Sequence, residues 1–120
     1  MSPTARTLAL LRNEGYMAQV VERFCHYSRR RIDLFSCIDI VALRPGQTVG
    51  IQATSGANHS HRRGKAMAEP KLREWLLAGN RFEIWSWSKK GPRGKAKRWV
   101  ERREEIRLED LADAVVTEAA

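Results

Sequence analysis

Cysteine is scarce in this chain: only Cys25 and Cys37 occur in 120 residues. Two thiols are too few for a disulfide framework or a cysteine-rich zinc site, so both are expected as reduced, partly buried side chains. Long apolar runs are also lacking. No stretch approaches the ~18 residues that a membrane-crossing helix requires. The opening residues Met1-Ser2-Pro3-Thr4-Ala5-Arg6 have none of the apolar centre of a secretion signal. No membrane partner is therefore expected, and the cytoplasm is the expected compartment. There is no internal repeat and no low-complexity tract. The third shortage is of acid: residues 61–103 hold four acidic side chains against 14 basic ones.

What is present completes that pattern. Residues 1–60 carry seven basic and four acidic side chains, residues 104–120 carry one and six, and the whole chain has a formal charge of +8. A basic stretch ending in an acidic C-terminal segment over 104–120 implies a polyanionic partner, because each neutralised phosphate releases condensed counterions. Nucleic acid is expected before a membrane surface. The densest stretch, Lys89-Lys90-Gly91-Pro92-Arg93-Gly94-Lys95-Ala96-Lys97-Arg98, cannot form an amphipathic helix, and its glycines and proline make 89–97 a mobile basic loop. With 42% hydrophobic residues, the chain can bury one core, and its length suits a single domain over 1–120.

Thr4–Glu14 reads as a helix stopped by Gly15, followed by a strand at about 17–23 and a polar loop over 25–31 that ends in three arginines. The clearest element is a hairpin. Residues 37–43 and 48–54 are β-rich and flank the turn Arg44-Pro45-Gly46-Gln47. With Pro45-Gly46 as the loop, Asp39 lies across from Gln52 and Cys37 across from Thr54. Alternation then places Ile38, Ile40, Ala42, Val49, Ile51 and Ala53 on one face, and Asp39, Gln52 and Thr54 on the other. Two helices follow, over Asn58–Ala68 and Pro70–Ala78. A strand from Arg81 to Ser88 has Phe82, Ile84, Ser86 and Ser88 on one side and Glu83, Trp85 and Trp87 on the other. A charged edge strand over 98–107 and a short helix over 108–116 close an α-β-β-β-α-α-β-β-α order, an α/β fold.

An aspartate inside Ile38-Asp39-Ile40-Val41 faces the cost of desolvating its charge unless a partner awaits it. Hydrolysis of a phosphodiester with a divalent metal needs carboxylates converging on one small volume. Asp39, with Asp33, Glu22 and the side-chain oxygens of Gln52 and Thr54, offers such a set. The stretch from Ser55 through Asn58 to Arg62 is rich in donors and meets a helix N-terminus, where backbone N–H groups favour phosphate. His59 and His61 lack the companions a zinc site needs and read as surface histidines. Trp85 and Trp87 fit either a core or a base-stacking platform, the core being the commoner fate of tryptophan. Trp99 is the better candidate for exposure.

The segment Gly15-Tyr16 … Val20-Val21-Glu22 … Asp33 … Asp39-Ile40-Val41-Ala42-Leu43 … Ile51-Gln52-Ala53-Thr54 resembles the PD-(D/E)xK nuclease superfamily, and within it the Holliday-junction-resolvase-like branch. The resemblance covers roughly residues 5–90. It implies a restriction-endonuclease-like mixed β-sheet flanked by helices, a metal-binding role for Asp39, and Mg²⁺ (or Mn²⁺) as cofactor. Gln52 falls where the family has its second acid and Thr54 where it has its lysine. The motif is therefore degenerate, a Q-x-T in place of (D/E)-x-K.

The resemblance implies a small metal-dependent DNA endonuclease. Asp39, Gln52, Thr54 and Lys65 would be its catalytic set, and Asp39, Asp33, Glu22 and Gln52 its metal ligands. Ser55, Asn58, Arg62, Arg63, Lys89, Lys90, Arg93, Lys95, Lys97 and Arg98 are the candidate DNA contacts. Resolvase-like enzymes often pair to make two cuts, so a homodimer belongs to the same expectation. The alternatives are a catalytically silent nuclease fold retained as a DNA-binding or adaptor module, and an unrelated basic α/β protein.

Overall fold

The computed structural model describes residues 1–93 and 97–111. Its centre is one mixed five-stranded sheet in the order β1-β4-β5-β6-β7, flanked by helices, with a separate two-stranded sheet of β2 and β3. In chain order these are α1 (Pro3–Asn13), β1 (Met17–Val20), β2 (Arg23–Cys25), β3 (Arg30–Ile32), β4 (Ile40–Arg44) and β5 (Gln47–Ser55). A 3₁₀ turn (Gly56–Asn58), α2 (His59–Met67), α3 (Pro70–Leu77), β6 (Arg81–Lys90) and β7 (Arg98–Ile106) follow. β1, β4 and β5 are successive antiparallel neighbours, β6 is parallel to β5, and β7 returns antiparallel to β6. The β5–β6 pair is parallel because the chain between them is spent on α2 and α3, the crossover that a parallel connection requires.

Both faces of the sheet are covered. Leu11 of α1, with Leu8 and Leu10, packs on Ala18, Ile40, Ala42, Val49, Ile51, Trp85 and Trp87. On the opposite face Ala66 of α2 and Leu72 and Leu76 of α3 pack on Phe82, Ile84 and Ile106. α1 begins on a Ser2 cap that accepts from the Ala5 N–H, with Pro3 in its first turn. Trp85 and Trp87 are thus core residues and not stacking platforms; the Trp87 indole N–H donates to Thr7 Oγ1 at 2.9 Å.

The expected hairpin register holds: Arg44 pairs with Gln47 and Ile40 with Ile51. Several boundaries differ. β4 starts at Ile40 and not at Cys37, because Leu34 and Ile38 bridge each other across a tight turn and the chain bends at Asp39. That bend turns Ile38 away from Ile40, so Ile38 joins the α2–α3 side of the core. The strand expected over 17–23 stops at Val20, and the expected polar loop after it is a hairpin, β2–β3. The basic loop begins at Gly91 and not at Lys89, since Lys89 and Lys90 still pair with Trp99 and Arg98. The charged edge strand expected over 98–107 is β7, so Glu104 and Glu105 at the start of the acidic segment are strand residues. A helical turn opens at 108–111, and the remainder of the expected last helix lies outside the described residues.

Gly50 marks a close approach of sheet and helix layer. A Cβ there would stand 2.7 Å from Ile38 Cδ1 and 3.0 Å from Trp75 Cζ2. Overpacking of this kind typically costs about 1–3 kcal/mol. Gly50→Val is expected to lower the unfolding free energy by that amount in urea titrations, without changing the denaturant slope.

Candidate metal centre

Three carboxylates converge at the end of β1 and β4. Glu22, Asp33 and Asp39 each offer a carboxylate oxygen, and these oxygens all lie within 4.8 Å of one another. Local backbone geometry explains the convergence. The Val21 and Glu22 N–H groups both donate to the Asp39 carbonyl oxygen, at 2.8 and 3.3 Å, which brings Glu22 alongside Asp39. On the other side, Leu34 and Ile38 exchange hydrogen bonds at 2.9 Å, so the residues just outside that pair, Asp33 and Asp39, become neighbours. Phe35 and Ser36 form the tip of this turn with φ of +51° and +64°. Positive φ at both central positions is the geometry of a type I′ turn, which glycine or asparagine usually occupies.

Asp39 is only 4% exposed. Its Oδ2 accepts from the Ala53 backbone N–H at 2.9 Å and from Gln52 Nε2 at 3.3 Å. The same Gln52 nitrogen donates to Asp33 Oδ2 at 3.3 Å. Gln52 is thus placed across from Asp39, as the hairpin register requires, and its amide bridges two carboxylates. Burial pushes the Asp39 carboxyl up to about 8, helped by the hydrogen bond and negative charge of Asp33 and by Glu22, while the Ala53 N–H opposes the rise. Glu22 is the member with a cationic partner, Arg31 Nη1 at 3.1 Å. A cavity of about 560 Å³ opens beside the cluster, lined by Glu22, Arg31, Val20, Ser2, and Thr4, Ala5 and Leu8 of α1.

The oxygen-only chemistry of this set suits a hard divalent cation, which would offset the mutual repulsion of the three carboxylates. The rest of the expected catalytic set is dispersed. Thr54 is buried on the Gln52 face of β5, in register with Ser86, and carries no charge. Lys65 is exposed in the last turn of α2. Arg62 is half-buried, with no carboxylate within 4.0 Å among the described residues. Arg63 is committed elsewhere: its Nε donates to Glu104 Oε2 at 2.7 Å.

Glu104 also meets His59, the residue expected at the surface and found 2% exposed. His59 Nε2 lies 2.8 Å from Glu104 Oε1, and Nδ1 lies 2.7 Å from Ser86 Oγ. Burial alone would raise the Glu104 carboxyl, but the His59 and Arg63 bonds outweigh it and hold the group below its ordinary range. This chain of contacts ties α2 to β6 and β7.

The expected DNA contacts fall into two places. Ser55 ends β5, and Asn58 is exposed just before α2 with no side-chain capping bond. Lys89, Lys90 and Arg98 sit at the end of the β6–β7 ribbon, where β5 no longer accompanies it, and Arg93 and Lys97 are exposed in the connection. Lys95 lies outside the described residues. Trp99 is exposed there, with Arg6 Cζ 4.2 Å and Lys89 Nζ 5.5 Å from its ring. Sequence reasoning missed the β2–β3 hairpin and its arginines, which grow directly out of the carboxylate cluster. Neither three-residue run, Arg23-Phe24-Cys25 or Arg30-Arg31-Ile32, carries an apolar period that would announce it.

Two outcomes follow from this geometry. The Asp39 carboxyl titrates near 8 in the folded chain against an ordinary 3.8, so the folded state binds more protons than the unfolded one between those values. Stability therefore falls as pH rises from about 4 to 8 in the absence of metal. Asp39→Asn should flatten this slope and raise the melting temperature at pH 8 by several degrees, equivalent to about 1–2 kcal/mol. Ser36→Gly should add up to ~1 kcal/mol in chemical denaturation, because glycine adopts the positive φ without strain. A comparison with known protein-family models and one with curated proteins each find no match to this chain.

Proposed function

We propose that this chain is a small cytoplasmic DNA endonuclease of the PD-(D/E)xK type, using a divalent cation held by Asp39, Asp33 and Glu22. The observation that carries the reading is the approach of three carboxylate oxygens to within 4.8 Å around a buried aspartate. Carboxylates concentrated in this way repel one another, and a cation removes that penalty. Asp39, Asp33 and Glu22 would hold Mg²⁺ or Mn²⁺, which would supply Lewis-acid activation of the scissile phosphate.

The side chains have distinct duties in this reading. The Ala53 N–H fixes the orientation of the Asp39 carboxylate by holding Oδ2. Gln52 presents its carbonyl oxygen to the cluster after a half-turn of its amide, which needs no backbone movement. No ammonium stands at the Thr54 position, so neutralising charge at the phosphate falls to Arg31, the cation in contact with the cluster. Loss of one such electrostatic stabiliser costs on the order of 10²–10³ in rate, which makes this a slow enzyme. Paired cutting of a branched substrate would use two copies of the chain.

A second reading, a catalytically silent DNA-binding module, is favoured by one specific observation. The Gln52 amide donates to both Asp33 and Asp39 and so already satisfies part of their charge without a metal.

Supercoiled, linear and branched DNA incubated with Mg²⁺ or Mn²⁺ separates the two. The nuclease reading expects cleavage by the wild type and at least 10²-fold less by Asp39→Ala, with DNA affinity retained. Binding by both proteins without cleavage supports the silent module. Neutralisation of about six phosphates predicts a roughly 10³-fold loss of affinity between 50 and 200 mM salt, and absence of any salt-dependent binding would sink both readings.

A further inference from the structure

The β2–β3 hairpin is the one described element built without a core. Its two strands are three residues each, and Arg23, Phe24 and all three residues of β3 are exposed. Residues 23–32 contain four arginines and one histidine and no acid. Tyr27, at the turn, is fully exposed, and Phe24 is half-exposed with its ring edge-on to His26 at 5.1 Å. Aromatic rings on a basic ribbon, left out of both core clusters, present free stacking faces.

The roots of this arm are the metal-site residues. Glu22 precedes β2 by one residue and Asp33 follows β3 by one. Phe24 pairs with Arg31, and Arg31 reaches Glu22 at 3.1 Å, so this face of the arm runs directly into the carboxylates. At ~3.3 Å per residue, Phe24 stands about 7 Å along the chain from Glu22, and Tyr27 lies beyond the strand, in the turn at the far end of the arm. Arg23, Arg29 and Arg30 have no carboxylate within 4.0 Å among the described residues, leaving them free for phosphates.

We infer that the arm is a clamp for unpaired DNA beside the metal site: Phe24 and Tyr27 stack on exposed bases, while Arg29 at the turn and Arg23 and Arg30 on the face opposite Phe24 hold the backbone as it passes round the two-stranded ribbon. The substrate class is then single-stranded or forked DNA. An intact duplex keeps its base faces stacked inside and offers the arm only phosphates. The inference deepens the DNA reading above, but it depends on binding and not on cleavage.

The test is fluorescence anisotropy without divalent metal, using a 20-nucleotide oligo-dT, a forked duplex and a blunt duplex. Tyr27→Ala and Phe24→Ala should each weaken binding to oligo-dT and the fork by about 5- to 100-fold, and to the blunt duplex by less than about 2-fold. The double variant Arg29→Ala/Arg30→Ala should lower the magnitude of the log–log salt slope on oligo-dT by about 1.4, since each lost phosphate contact on a single strand removes about 0.7. Because Tyr27 touches nothing that holds the fold, its variant should melt with the wild type. Unchanged oligo-dT affinity in Tyr27→Ala and Phe24→Ala overturns the clamp, as does an equal loss on all three DNAs. A change of sedimentation in the arm variants would assign the ribbon to self-association and overturn it as well. Asp39→Ala separates the two ideas: with oligo-dT affinity retained and cleavage lost, the arm and the metal site are each tested alone. If the wild type binds DNA but never cleaves it, the clamp stands and the nuclease reading falls.

Discussion

One residue, Asp39, is the joint on which this end of the molecule turns. Its carbonyl oxygen accepts the N–H groups of Val21 and Glu22, its own N–H donates to the Ile51 carbonyl, and its carboxylate takes Ala53 N–H and Gln52 Nε2. Main chain and side chain together thus join β1 to β4 and β4 to β5. A buried carboxylate with fewer partners would be expelled or held protonated at a large penalty. Here backbone donors compensate part of that penalty, and the remainder appears as the raised carboxyl, near 8, that burial and two neighbouring acids produce. The bend at Asp39 also sends Ile38 to the α2–α3 face, beside Gly50 and Trp75, so the polar site and the apolar packing share one backbone feature.

From that joint the chain leaves in two directions that differ in physical character. The sheet runs one way, with both faces buried and its edge strand β7 guarded by charge. Arg81 meets Glu83 and Glu105, Arg103 pairs with Glu14 and Glu101, and Arg63 pairs with Glu104. These pairs engage three of the 14 basic side chains of residues 61–103 within the fold itself. The β2–β3 hairpin runs the other way, with arginines that mostly lack such partners. Net charge is thus a weak guide to a binding surface until it is mapped onto exposed side chains: the hairpin, the β6–β7 tip, and Lys65, Lys71 and Arg73 of α2 and α3 are basic groups facing solvent.

The sequence made the sheet legible where two signals agreed. Pro45-Gly46 between β-rich runs defined the register that placed Asp39 across from Gln52, and strict alternation over 82–87 sorted Phe82 and Ile84 from Trp85 and Trp87. The tight turn at Leu34–Ile38 was not legible, because Phe35 and Ser36 are poor residues for positive φ and neither glycine nor asparagine announces the turn. The β2–β3 arm was hidden for a different reason. Three-residue strands rich in arginine carry no apolar period, and their pairing is set by their roots and not by their composition. His59 was misjudged because a single histidine in a polar run gives no sign of its burial; its partners, Ser86 and Glu104, are 27 and 45 residues away.

The carboxylate cluster was legible as a set of candidates but not as a charge state. A proton, the Gln52 amide and a divalent cation all compete for the same Asp33 and Asp39 oxygens, and each satisfies a different share of the charge. The proton neutralises one carboxylate and is favoured by burial. The amide neutralises none but supplies a donor to both. A cation neutralises most, yet it requires Gln52 to give up those two bonds and Asp39 to lose its proton. Gln52 therefore contributes more to this cluster than one potential ligand oxygen. It is an internal competitor with bonds of 3.3 Å to both oxygens, long for N–H donation to a carboxylate and correspondingly easy to exchange. Metal occupancy of the cluster is decided by that exchange, at one side chain, without any rearrangement of the sheet that carries it.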